Sequence, residues 1–131
     1  MQALPLRLTP GQDLRLAIEA ALGSHTAGFV LQGIGSLSVA QLRYAGAEAL
    51  TTLRGDLEIL TLAGSMAPDG AHLHMSVSDA QGRVFGGHVA PGCMVRTTAE
   101  ILVALLPDHA FSREHDLHGS GYKELVIRDL P

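Results

Sequence analysis

The chain carries 15 glycines in 131 residues, and beyond residue 23 they cut it into apolar runs too short for helices. Glycine tolerates left-handed backbone and weakens regular helix, so runs bounded by it and rich in β-branched residues read as strands joined by tight turns. One stretch escapes this punctuation. Apolar residues at positions 14, 17, 18, 21 and 22 follow the i, i+3, i+4, i+7, i+8 spacing of an amphipathic helix. Thr9 is the expected cap and Pro10 the first helical residue, with Asp13, Arg15 and Glu19 on the wet side and Gly23 as the stop.

The remaining chain predicts strands at 2–9, 29–36, 38–44, 49–53, 57–63, 72–78, 84–90 and 122–127. Met66-Ala67-Pro68-Asp69-Gly70 and Asp79-Ala80-Gln81-Gly82 are turns of known chemistry. Residues 57–63 are mostly apolar on both faces, the pattern of a central strand. Residues 94–106 mix β-branched Val95, Thr97, Thr98, Ile101 and Val103 with helix-forming Ala99, Glu100 and Leu102, and strand is the reading adopted. The expected fold is α/β (α+β): a mainly antiparallel sheet of about seven strands with one or two flanking helices. No linker or repeat divides the chain, so residues 1–131 read as one domain.

Charged residues make up only 17% of the chain, against a typical ~25%. A chain of this size and polarity leaves apolar surface uncovered, which points to self-association. The formal charge is −4, and the basic residues, all arginine except Lys123, form no cluster. That balance argues against affinity built mainly on phosphate contacts. Cys93 is the lone cysteine, which excludes intramolecular disulfides and fits a reducing compartment. The start of the chain has no signal-peptide pattern, and the apolar run 101–106 is far short of a membrane helix. A cytoplasmic protein with no membrane partner is expected.

The chemistry concentrates in Ala71-His72-Leu73-His74-Met75. Alternate residues of a strand share a face, so His72 and His74 point the same way, roughly 6–7 Å apart along the strand. A hairpin through Gly82 brings back Gly86-Gly87-His88, setting a third imidazole beside the pair. Three imidazoles with one position free for water or substrate is a familiar zinc arrangement. The competing reading is a half-exposed polar face with no ion. The paired glycines before His88 favour the site by clearing room near it. His25 is expected in a loop, and His109, His115 and His118 in a solvated polar stretch, 108–121.

Other chemistry is weaker. No nucleophile elbow, phosphate loop or dinucleotide fingerprint occurs, and Cys93 is expected as a small buried filler. Glu58 and Glu100 interrupt apolar strands and are expected to be buried against partners, with Arg54 and Arg96 as candidates. Those carboxylates would serve as general acid or base if a zinc ion here worked as a hydrolase or lyase on a small molecule.

Several motifs then coincide: Gly33-Ile34-Gly35-Ser36-Leu37, Arg54-Gly55-Asp56-Leu57-Glu58-Ile59-Leu60, Leu62-Ala63-Gly64-Ser65, His72-Leu73-His74, Gly82-Arg83-Val84-Phe85-Gly86-Gly87-His88 and Thr97-Thr98-Ala99-Glu100. With Phe111-Ser112-Arg113, Asp116 and Gly121-Tyr122-Lys123-Glu124-Leu125, the chain resembles the PPC (plants and prokaryotes conserved) domain. It departs from the family pattern at Leu57, where phenylalanine is usual. The resemblance implies a homotrimer and a metal ion at His72, His74 and His88. In the plant members an AT-hook peptide precedes the domain and binds DNA; no Arg-Gly-Arg-Pro hook occurs in these 131 residues. Three functions follow as expectations. The first is a trimeric zinc-binding module, with a small-molecule ligand possible. The second is a DNA-associated regulator, and the third a zinc-dependent enzyme.

Overall fold

Short turns between consecutive extended runs enforce antiparallel pairing, and every strand pair in the fold is antiparallel. A computed structural model describes residues 1–131. The elements run β1 (Gln2–Leu8), α1 (Leu14–Ala21), β2 (Gly28–Arg43), β3 (Thr51–Ala67), β4 (Gly70–Ser78), β5 (Val84–Val89), β6 (Met94–Leu105), β7 (His109–His115) and β8 (Lys123–Asp129). Six strands form one sheet in the order β1-β6-β2-β3-β4-β5, and β7 and β8 form a separate hairpin. The expected fold class holds, with a single helix and with eight strands rather than about seven.

Two expected breaks are absent. The segments 29–36 and 38–44 belong, except for Tyr44, to one 16-residue strand, β2. Likewise residues 51–53 of the expected 49–53 strand and all of 57–63 belong to the 17-residue β3. Their glycines sit within strands, and bulges between Leu37 and Val39 and between Ile59 and Thr61 bend the ladder. The bend carries the sheet round until the end of β2 also pairs with β5, through Leu42 with Val89 and Arg43 with His88. Gly87 permits that closure: a Cβ there would stand 2.7 Å from the Arg43 carbonyl oxygen. The glycine before His88 therefore clears backbone of β2, not space for an ion.

Helix α1 begins later than the sequence suggested. Gly11 at φ +86° interrupts the start at Thr9-Pro10, and Asp13 is the cap, accepting from the Leu16 amide at 3.0 Å. The other Asp13 oxygen accepts from the Gly92 amide at 2.7 Å, which ties the helix to the β5–β6 turn. Leu14 and Ile18 of α1 are fully buried, packed in one core with Leu37, Leu42, Leu73, Val77, Val89 and Val103.

That core covers one face of the sheet. Leu57, Ile59 and Leu62 point into it, while Glu58 between them is exposed. Glu100 is exposed in the same way between Ala99 and Ile101. The expectation of buried carboxylates is thus corrected, because β3 and β6 are covered on one side only. Arg96 pairs instead with Asp56 at 3.3 Å, and Arg54 lies exposed opposite Val39. The uncovered face carries Leu31, Ile34, Leu60 and Leu102, each 41–52% exposed.

The β7–β8 hairpin was not expected over 109–115. It is anchored by Phe111, which packs edge-on against Phe29 at 5.6 Å and buries against Ala27 and Ala67. The Phe111 amide donates to the Thr26 carbonyl at 2.9 Å, and the Arg113 amide to Asp69 at 3.1 Å. His109 is therefore half-buried, 3.4 Å from Asp129, rather than solvated. No helix is long and apolar enough to cross a membrane.

Candidate metal centre

The alternation read from residues 71–78 holds in β4: Leu73, Met75 and Val77 are core, and His72 and His74 point away from it. The loop at Asp79–Gly82 returns the chain as β5, which sets His88 directly opposite His74 in the ladder. The three rings gather with centroids 4.8, 5.4 and 5.9 Å apart. One nitrogen from each lies within 4.8 Å of the others.

Two arginines that sequence reasoning missed complete the surroundings. Arg15 on α1 brings Nη1 to 3.4 Å from His88 Nε2 and donates to the Val89 carbonyl at 3.0 Å. Arg113 on β7 brings Nη1 to 3.4 Å from His72 Nδ1 and donates through Nη2 to the Lys123 carbonyl at 2.9 Å. Partial burial holds the His72 ring below its ordinary pKa, and the nearby Arg113 and His74 charges add to that. Burial, then His72, Arg15 and Arg43, push His88 down to about 4. Both shifts favour the neutral ring, the state a metal needs.

These residues fit a divalent metal. Three neutral imidazoles are the donor set of a tetrahedral zinc site. The buried Nδ1 of His88 has no hydrogen-bond partner, and a buried polar atom without one is costly. Tetrahedral bonds of ~2.0–2.1 Å set ligand nitrogens roughly 3.3 Å apart, so small side-chain rotations would close the triad.

The other sequence candidates lie elsewhere. Glu100 lines a separate cleft of about 680 Å³ with Arg7, Gln32 and Ile34, and Glu58 sits opposite Ser36 and Ser78. Neither carboxylate joins the histidines. Cys93 is fully buried, and burial pushes its thiol up, as suits a core filler.

The profile of the Plants and Prokaryotes Conserved (PCC) domain matches residues 1–107, and the chain belongs to that family. It is 50% identical over 132 residues to the bifunctional protein GlmU of Synechococcus sp. (strain JA-3-3Ab), a match covering 99% of this chain and 21% of that protein. The chain thus spans about one fifth of the length of such a relative. It is also 36% identical over 99 residues to AT-hook motif nuclear-localized protein 21 of Arabidopsis thaliana, covering 68% of this chain and 35% of that one. Among solved structures, a hypothetical protein from Salmonella cholerae-suis superposes with TM-score 0.93 at 42% identity, covering 98% and 94% of the two chains. A metal-containing protein from Archaeoglobus fulgidus gives TM-score 0.76 at 28% identity, covering 96% and 94%.

Proposed function

We propose that residues 1–131 form one self-associating domain that holds a zinc ion on His72, His74 and His88. The convergence of three imidazole nitrogens within 4.8 Å carries this reading. The buried, unpartnered Nδ1 of His88 supports it, as does the structural likeness to a protein described as metal-containing. When bound, zinc would supply a Lewis acid with one coordination position beyond the three imidazoles. The protein's part is to keep those rings neutral and oriented. Trimeric assembly is supported by the uncovered apolar face around Leu31, Ile34, Leu60 and Leu102, since patches of this kind mark interaction surfaces. The buried thiol of Cys93 fits the reducing, cytoplasmic setting expected from the sequence.

Elemental analysis of protein purified without added metal is expected to return about one zinc per chain. Light scattering is expected to give a mass near three times the 13.8 kDa chain. Markedly sub-stoichiometric metal overturns the site, and a monomer at micromolar concentration overturns the assembly.

A second reading, association with DNA, draws on the AT-hook relative. The −4 charge opposes it. Titration with duplex DNA across a salt series separates the two, because phosphate contacts weaken steeply as salt rises. The metal-module reading expects no binding even at low salt.

A further inference from the structure

The histidines border a cleft of about 850 Å³ whose lining includes Arg43, Arg113 and Lys123 together with Glu48 and Glu124. A smaller neighbouring cleft adds Arg15 and Asp69 to the same two histidines, His72 and His88. Four cationic side chains therefore surround the rings.

Two of the four have a weak claim on any acid in the fold. Arg15 Nε lies 3.7 Å from Glu19, and Arg113 Nη2 lies 3.9 Å from Glu124. Both distances exceed the ~2.7–2.9 Å of a charge-assisted hydrogen bond. Each arginine instead points Nη1 at an imidazole nitrogen, 3.4 Å away. Arg15 Nε is buried without a hydrogen-bond partner. The two arginine side chains are about four-fifths buried, 21% and 20% exposed.

Metal binding would remove the acceptors they face. A neutral imidazole has one lone-pair nitrogen and one N–H. If the metal takes the nitrogen facing the arginine, the guanidinium is displaced. If it takes the other, the nitrogen facing the arginine becomes an N–H, and two donors meet. Either way Arg15 and Arg113 lose an acceptor, while a divalent cation adds charge beside them. A pair of forked guanidiniums flanking a metal that is one ligand short matches an oxyanion.

We infer that the cleft binds a small molecule bearing a carboxylate or phosphate group, clamped by Arg15 and Arg113 and completing the coordination of the metal on His72, His74 and His88. Arg43 and Lys123 line the same opening and suit a second negative charge on the ligand. The inference rests on the metal reading for the ion and on the arginines for the anion, and the two parts can be tested apart.

Calorimetric titration of the zinc-treated protein with inorganic phosphate and, separately, with malonate provides the test, with the metal content of every sample measured. Binding of at least one of the two is expected, and which one binds distinguishes phosphate from carboxylate ligands. Arg113→Gln and Arg15→Gln should each weaken it about tenfold or more, the scale of one lost charged hydrogen bond, at unchanged zinc content. Arg43→Gln, an exposed residue whose guanidinium hydrogen-bonds the Ala47 carbonyl and no imidazole, should weaken it less and serves as the variant least able to disturb folding. Zinc-replete protein that binds neither anion, or binds equally well without either flanking arginine, overturns the inference and leaves the metal reading standing. Protein that takes up no zinc on treatment yet still binds the anion through Arg15 and Arg113 overturns the metal reading and keeps the clamp.

Discussion

His74→Ala is expected to abolish stoichiometric zinc binding while leaving the fold intact, and thermal unfolding should display the loss directly. His74 is the exposed member of the triad, so truncating it empties no core space. His72 and His88 are half-buried beside Arg113 and Arg15, and removing either ring would disturb packing as well as ligation. A ligand present at a thousand times its dissociation constant stabilises the folded state by about 4 kcal/mol. At roughly 3–5 °C per kcal/mol for a chain of this length, saturating zinc should raise the wild-type midpoint by roughly 12–20 °C. In His74→Ala the midpoints with zinc and with chelator should coincide. Both proteins are compared at one chain concentration, since assembly also shifts the midpoint. A variant that retains the full zinc-dependent rise means that the ion sits elsewhere.

This triad was legible because everything that builds it is local. The alternation of residues 72–77 assigns the histidines to one face, and a five-residue loop, Asp79–Arg83, fixes the return of β5. Hairpin register follows from loop length, and it makes His74 and His88 direct partners. The arginines were not legible for the opposite reason. Arg15 reaches His88 across 73 residues of chain and Arg113 reaches His72 across 41. Arg15 reads as the wet face of a helix, and its contact depends on how α1 docks against the curled sheet. Arg113 depends on the β7–β8 hairpin, whose His109-Ala110-Phe111-Ser112-Arg113-Glu114-His115 run lacks β-branched residues. Burial of Phe111 forms that strand, not local propensity. The carboxylates misled for a third reason. Apolar residues on both sides of Glu58 read as a strand covered on two faces, but this chain supplies cover for only one, and the surplus apolar surface is the face the proposed trimer would use.

The site also depends on a residue with no side chain. Gly64 on β3 sits opposite Leu73 on β4 and Val30 on β2. A Cβ at this position would overlap the His72 carbonyl oxygen and stand 2.8 Å from the Leu73 Cα. Both obstacles are backbone, so no rotamer change relieves the clash, and β3 and β4 must separate where His72 is held. Overpacking a core costs ~1–3 kcal/mol even when side chains can shift. Gly64→Ala should therefore destabilise the fold by at least about 3 kcal/mol, more than a hundredfold in the folding equilibrium. Gly46→Ala is the control. Gly46 lies at φ +72° with nothing within 4 Å of an added Cβ, so it isolates the ~1–2 kcal/mol of left-handed backbone strain. Denaturant unfolding of the two variants should give a clearly lower midpoint for Gly64→Ala at similar slope. Any zinc affinity that Gly64→Ala retains should be reduced, because the displaced carbonyl carries the His72 ring with it, whereas Gly46→Ala should hold zinc as the wild type does. Equal midpoints for the two variants would show that β3 and β4 can part without cost, and the rigidity assigned here to the His72 end of the site would be lost with them.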